Sequence, residues 1–138
     1  MTIKSVAHVC IKTKDLTRTL DFYGGALGLQ KLFNFTRHGD VIGFYLKASN
    51  DSFIEVFRMD DAEQGNARQH LHHFCLETES IEKLRETLAQ KGYAPGNIIM
   101  GADNSRQFWV KDPNGLEIEF QQYTGRSSQF TGADVDVT

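Results

Sequence analysis

The chain writes one short strand twice. Residues 8 to 13 read HVCIKT, and residues 73 to 78, sixty-five positions later, read HFCLET. His, Cys and Thr recur in place, while Val/Phe and Ile/Leu exchange apolar for apolar. The match extends outward. KDLTRTLDFYGGALGL follows the first copy, with Leu16, Leu20, Tyr23 and Leu27 at helical spacing. Asp15 suits its N-cap and Gly28 its stop, and a close backbone approach would explain the paired Gly24 and Gly25. ESIEKLRETLAQKG follows the second copy, with Ile81, Leu84 and Leu88 at helical spacing, Ser80 at the cap and Gly92 at the end. Three strand-like runs then follow each helix: QKLFNFTR, VIGFYLKA and SFIEVFR, then YAPGNIIM, RQFWVKD and LEIEFQQY. The ends of the two halves match as well, Ile54-Glu55-Val56 against Ile118-Glu119-Phe120. The order is therefore βαβββ, twice.

That repeat sets the domain plan. Module 1 covers residues 1–58, a polar linker residues 59–69, and module 2 residues 70–122; residues 123–138 read as a polar, loose C-terminal tail. Residues 1–122 together are read as one domain. A four-stranded sheet with one helix buries one face against that helix. Strand alternation then sorts the side chains. Val9 and Ile11, Ile54 and Val56, Phe74 and Leu76, and Ile118 and Phe120 go to the helix side. His8 and Cys10, Glu55 between Phe53 and Phe57, His73 and Cys75, and Glu117, Glu119 and Gln121 go to the opposite face.

Charge narrows the partners. A formal net charge of −3 and the absence of a basic run argue against nucleic acid and against an acidic membrane surface. No apolar stretch is long enough for a signal h-region or a membrane span, which points to the cytoplasm. In a reducing compartment Cys10 and Cys75 are read as thiols, although their matching places in the repeat allow them to be neighbours.

Two imidazoles and two carboxylates on one kind of face are competent to hold a divalent metal. Imidazole suits Zn, Ni, Co, Fe and Cu, and carboxylate shifts preference toward harder, octahedral ions. A single strand histidine is ordinarily a hydrogen-bonded structural residue. Here both halves keep metal-competent side chains at related positions, which duplication by itself does not require. Alternatives sit beside this set. His70 and His72 crowd His73, and only strand phase selects among them. Glu117 shares the face of Glu119. Cys10 and Cys75 lie nearby, and as ligands they would favour tetrahedral zinc. Phe44, Phe53, Phe57 and Trp109 form a candidate apolar wall, and Lys12 and Arg106 are candidate anion contacts.

These motifs together resemble the vicinal oxygen chelate superfamily, which spans glyoxalase I, bleomycin-resistance proteins, extradiol dioxygenases and methylmalonyl-CoA epimerases. The carrying stretches are HVCIKTKDLTRTLDFYGGALGL from His8, SFIEVF around Glu55, HHFCLE around His73, and DPNGLEIEF, close to the DPxGxxIE signature and ending in Glu119. The resemblance runs over roughly residues 4 to 122. It implies an α+β fold in which two βαβββ modules pair into a cupped, partly closed eight-stranded sheet with helices outside.

The resemblance also implies a site. His8, Glu55, His73 and Glu119 fall at the four ligand positions, the set most similar to bacterial-type glyoxalase I, with one divalent ion (Ni, Co, Zn, Fe or Mn) per site. It implies a lyase or isomerase that stabilises an enediolate of a small 2-oxo or 2-hydroxy substrate. Glu119, or Glu55 on the other side, would be the base. Lys12, Phe53, Phe57, Arg106 and Trp109 would contact substrate, and a homodimer is implied.

Two departures argue against glutathione. Lys12 stands where glyoxalase I relatives usually carry Arg, and Arg58-Met59 where they carry Asn. The rival readings are an Fe(II) dioxygenase using His8, His73 and Glu119, a resistance enzyme opening an anionic substrate, and a metal-free protein that binds a planar ligand.

Overall fold

The computed structural model describes residues 6, 8–59 and 73–135. His70, His72 and most of the expected linker lie outside them. The chain divides into two compact units, Met1–Gln69 and His70–Thr138. Each contains one four-stranded sheet, so the architecture is α+β with few helices.

In the first unit, β1 (His8–Thr13) leads into α1 (Leu16–Leu20) and a π-helical turn over Asp21–Ala26. Asp15 caps α1, its Oδ1 accepting from the Arg18 N–H at 3.0 Å, which satisfies a donor that the first turn leaves open. Gly28 ends the segment at φ +75°, a left-handed conformation that glycine adopts without a Cβ clash. The inward face is not the expected Leu stripe. Thr19, Phe22, Tyr23 and Ala26 are the buried residues. The Leu27 N–H reaches back five residues to Phe22 O at 2.9 Å. Thr19, Phe22, Tyr23 and Ala26 fall at i, i+3, i+4 and i+7, one continuous helical face. Gly24 and Gly25 lie in the π-helical turn; a Cβ on Gly24 would come within 3.0 Å of Leu20 Cδ1, whereas one on Gly25 would meet nothing within 4 Å, so close approach bears on Gly24 alone.

The strands β2 (Gln30–Arg37), β3 (Asp40–Lys47) and β4 (Phe53–Arg58) complete this sheet in the order β1-β4-β3-β2. The βα connection makes β1 and β4 parallel, while the hairpins leave the other pairs antiparallel. Ile11, Phe44, Leu46, Ile54 and Val56 form the buried face of the sheet. Thr13 and Thr19 are also fully buried, and their hydroxyls bond each other at 2.8 Å. Buried hydroxyls need such a partner.

The second unit repeats the plan. Its strands are β5 (His73–Glu77), β6 (Ile99–Met100), β7 (Arg106–Lys111) and β8 (Glu117–Gln122), ordered β5-β8-β7-β6 with β5 and β8 parallel. Its helix α2 spans Ile81–Gln90. Ser80 occupies the N-cap position but makes no side-chain cap bond; Gln122 Oε1 accepts from the Ile81 N–H at 3.0 Å instead. Ile81, Leu88, Phe108, Val110, Ile118 and Phe120 are its buried apolar residues.

The expected strand YAPGNIIM shrinks to Ile99–Met100. Pro95 has no N–H to give a ladder, and Arg85 on α2 claims the Gly96 carbonyl at 2.7 Å and the Pro95 carbonyl at 3.3 Å. The Asp112-Pro113-Asn114-Gly115 turn closes as its composition dictates. Asp112 Oδ1 accepts from the N–H groups of Asn114 (2.8 Å) and Leu116 (2.9 Å).

The C-terminal segment departs from the loose tail that its polarity suggested. Helix α3 (Ser128–Thr131) follows β8, and its start is bonded to the loop before β7: the Ser128 N–H donates to Asp103 O at 2.8 Å. Among the described residues, no helix is long and apolar enough to cross a membrane.

Candidate functional site

Each sheet has a face turned away from its helix. In the first unit, β1 brings His8, Cys10 and Lys12 to it, and β4 brings Phe53, Glu55 and Phe57. Cys10 stands in register with Glu55 and His8 with Phe53, so His8 and Glu55 are diagonal neighbours on parallel strands. Across from Glu55 on β3 is Tyr45, not Phe44. Phe44 was expected in the apolar wall, but it pairs with Val56 and is buried on the helix side.

Tyr45 instead gathers the rings. It stacks on Phe53 at 5.4 Å and on Phe33 at 4.9 Å, and His8 meets it edge-on at 6.1 Å. Phe35 stacks on Phe57 at 4.5 Å, although their strands are not neighbours. Gly43 lies between the two in register. A Cβ there would fall 2.3 Å from Val56 O and 2.9 Å from the Phe57 ring, so the missing side chain is what lets Phe57 lean across. The Lys12 ammonium sits 5.7 Å from the centre of that ring, a cation–π distance.

In the second unit, His73, Cys75 and Glu77 come from β5, and Glu117, Glu119 and Gln121 from β8. The ladder is the same: Cys75 in register with Glu119, His73 with Glu117. Here side chains of the candidate set meet. His73 Nε2 lies 3.5 Å from Glu119 Oε2. Trp109, in register with Glu119, meets the His73 ring edge-on at 4.7 Å. Glu119 is only 8% exposed. Loss of water around it raises its carboxyl above the ordinary range, more than the Gln121 hydrogen bond and the nearby His73 lower it. Glu117, the alternative carboxylate, engages Lys111 Nζ at 3.8 Å.

Both cysteines are thiols. Cys75 keeps open surface, yet desolvation of its sulfur, reinforced by Glu119 and Asp103, pushes it up to about 12. Without a cation beside it, the Cys75 thiol stays protonated at neutral pH in these surroundings. Arg106 was expected to contact substrate. The structure turns it to the helix side, where its guanidinium bonds Glu82 of α2. Its register partner is Gln122, one position out of phase with the Glu119 face.

Among the described residues, no three His, Cys, Asp or Glu side chains gather as a complete metal site. The donor chemistry nonetheless fits a divalent ion: each unit supplies one imidazole and one carboxylate in the same diagonal register. Sequence reasoning overlooked Tyr45 and Phe35. Alternation against the buried Phe44 and Leu46 was the available signal for Tyr45. It also left Gln121 without a role and passed over Asp103, whose side chain sits in a loop where no periodicity aims it.

The profile of the Glyoxalase/Bleomycin resistance protein/Dioxygenase superfamily matches residues 5–120. No curated protein matches the chain. Solved structures do. A glyoxalase family protein from Enterococcus faecalis is 25% identical, with 88% of this chain and 99% of that one covered and a TM-score of 0.72. A putative glyoxalase family protein from Bacillus anthracis is 18% identical over 88% and 97% of the two chains, also at 0.72. The lactoylglutathione lyase from Agrobacterium tumefaciens is 14% identical over 88% and 96%, at 0.68. With two βαβββ units, a matched His–Glu diagonal in each and a profile match over most of its length, the chain belongs to the Glyoxalase/Bleomycin resistance protein/Dioxygenase superfamily.

Proposed function

We propose that the protein is a metal-dependent lyase or isomerase of glyoxalase type, acting on a small 2-oxo or 2-hydroxy compound with two neighbouring oxygens. The observation that carries this is the His–Glu diagonal, present twice in one register and drawn to 3.5 Å between His73 and Glu119. His8, Glu55, His73 and Glu119 would hold one divalent ion, which supplies Lewis-acid polarisation of the substrate oxygens. Glu119 is the base. Once loosened from the ion, it takes a proton from the carbon beside the carbonyl and returns it to the adjacent carbon. Glu55 is the second carboxylate able to do so on the opposite side. Phe53, Phe57 and Trp109 wall the substrate's carbon skeleton, and Lys12 meets its anionic end. Arg106, bonded to Glu82, is left out of the substrate set. The reading includes a cytoplasmic homodimer, and Lys12 and Arg58-Met59 argue against glutathione as the carrier thiol.

The test is metal content by mass spectrometry on untagged protein, wild type beside Glu55→Ala. About one transition-metal ion per site in wild type, with weaker retention in the variant, supports the reading. Turnover of 2-oxoaldehyde–thiol adducts, lost in Glu119→Gln, then assigns the base. Full retention in Glu55→Ala points to a three-ligand dioxygenase, checked by oxygen uptake with a catechol. The ring cluster around Tyr45 favours a second reading, a protein that binds a planar ligand without metal. Tight ligand binding by protein that takes up no Ni, Co, Fe or Zn would select it.

A further inference from the structure

Glu119 does not stand alone on its strand. Gln121, two residues on and 9% exposed, donates from Nε2 to Glu119 Oε1 at 3.0 Å, and the same nitrogen reaches Asp103 Oδ2 at 3.3 Å. An amide nitrogen between two carboxylates has its orientation decided, because the flipped amide would set oxygen against both. Asp103 is itself held. Its Oδ1 accepts from the Ser105 N–H at 3.0 Å, and its Oδ2 accepts from Gln129 Nε2 at 2.7 Å. Water loss alone would raise its carboxyl; the bonds from Gln129 and Ser105 outweigh that and hold it below the usual range.

The loop carrying Asp103 is fixed from the same side. The fully buried Ser105 and Ser127 bond through their hydroxyls at 2.8 Å. Thr124 Oγ1 donates to Asn104 O at 2.7 Å, and the Ser128 N–H to Asp103 O at 2.8 Å. Gly101 makes the tight approach possible, since a Cβ there would fall 2.6 Å from Gln107 Oε1 and 2.9 Å from Asp103 Oδ1. Gln121, Thr124, Ser127 and Gln129 all lie beyond residue 120, the last residue of the superfamily match.

We propose that the C-terminal segment, through Ser127 and Gln129, positions the Glu119 carboxylate: Gln129 and Ser105 fix Asp103, Asp103 fixes the Gln121 amide, and Gln121 occupies Oε1 so that Oε2 alone is presented to His73. Gln129, Asp103 and Gln121 are positioning residues, not catalytic ones. Their bearing on function rests on Glu119 being ligand and base; the geometry of the chain of bonds does not.

The experiment separates the two. Protein labelled with 13C at the glutamate δ carbon is compared at one fixed pH, metal-free, as wild type, Gln129→Ala and Gln129→Lys. Glu119→Gln assigns the resonance. Gln129 is exposed on α3, so Gln129→Ala keeps the fold, which an unchanged urea midpoint verifies. The Glu119 carboxyl resonance should move in Gln129→Ala and return toward wild type in Gln129→Lys, which restores a donor to Asp103. Co(II) titration is the second readout. Gln121→Leu should weaken binding by about tenfold to a hundredfold, as loss of a partner behind a ligand does, and Gln129→Ala by less. An unmoved resonance in Gln129→Ala overturns the inference whatever the metal result. A moved resonance in a protein that binds no Co(II) upholds the positioning and removes the metal reading instead.

Discussion

The two units share a ladder and differ in what they hang on it. Pairs of positions sixty-four or sixty-five residues apart keep their side chains where the ladder brings His beside Glu: His8 and His73, Cys10 and Cys75, Glu55 and Glu119. Tyr45 and Trp109 keep an aromatic across from each glutamate. Around that constant centre the residues differ, and the two rings of β4 give way to polar side chains on β8. Phe53 answers to Glu117, Phe57 to Gln121, Phe35 to Ile99, Gly43 to Gln107 and Lys12 to Glu77. The exchange of Phe57 for Gln121 has the largest consequence. The ring leans over Gly43 onto Phe35, whereas the amide turns to the neighbouring glutamate and ties it to Asp103. One half of the repeat has become an apolar wall and the other a hydrogen-bonded carboxylate. A duplicated fold can divide labour in this way because the helix-side faces carry the stability and leave the other faces to vary.

That division makes ordered predictions. The helix-side faces should be equivalent. Ile54→Ala and Ile118→Ala, 1% and 0% exposed, should each cost about 2–5 kcal/mol by urea denaturation. Costs differing by more than the spread expected for one chemistry would break the claim that the cores are alike. The next effect should be one-sided. Gly43→Ala forces a Cβ against the Val56 carbonyl and the Phe57 ring, for about 1–3 kcal/mol. Gln107→Ala at the matching position carries no such clash and should fall within about 0.5 kcal/mol of wild type. Equal effects would mean that Gly43 is no notch. Smaller again, Phe57→Gln, which writes the second unit's residue into the first, removes the stack on Phe35 and should cost about 0.5–1.5 kcal/mol beyond lost burial. A double-mutant cycle with Phe35→Leu isolates that part.

Much of this was legible in the sequence because it rests on local rules. The strands β2, β3, β4, β7 and β8 lie where alternation and turn chemistry put them, and Asp15, Gly28 and Gly115 do the jobs their types suggest. The faces of His8, Glu55, His73 and Glu119 followed from period two. What failed was non-local or was not decided by apolar spacing. The first helical segment buries Thr19, Phe22, Tyr23 and Ala26, a face beside Leu16, Leu20 and Leu27 that apolar spacing alone did not select. Arg106 kept strand phase with Phe108, hence the helix side, but was read as a charge looking for an anion. Asp103 and Gln129 could not be paired from sequence, since a hydrogen bond spanning twenty-six residues between a loop and a four-residue helix leaves no periodic trace.

Glu119→Gln should give the smallest change in stability and tests the buried carboxylate itself. Desolvation raises the folded-state pKa of Glu119, so the folded protein holds that proton more tightly than the unfolded chain does. The resulting stabilisation is complete below the ordinary glutamate range and is lost as pH rises through the raised value. Above it, the ionised carboxylate is a net burden on the metal-free fold, and a neutral amide escapes that burden. With a chelator present, Glu119→Gln should therefore melt about 2 °C above wild type at neutral pH, with the gap closing as the pH is lowered into the carboxylate range. A gap that ignores pH would show that burial is not what perturbs this group. Co(II) should invert the order, because an ion that binds the deprotonated ligand stabilises wild type by mass action and the amide variant less. The inversion is specific to Glu119 as a ligand: a carboxylate buried for structural reasons alone would keep the variant the more stable protein with or without the ion.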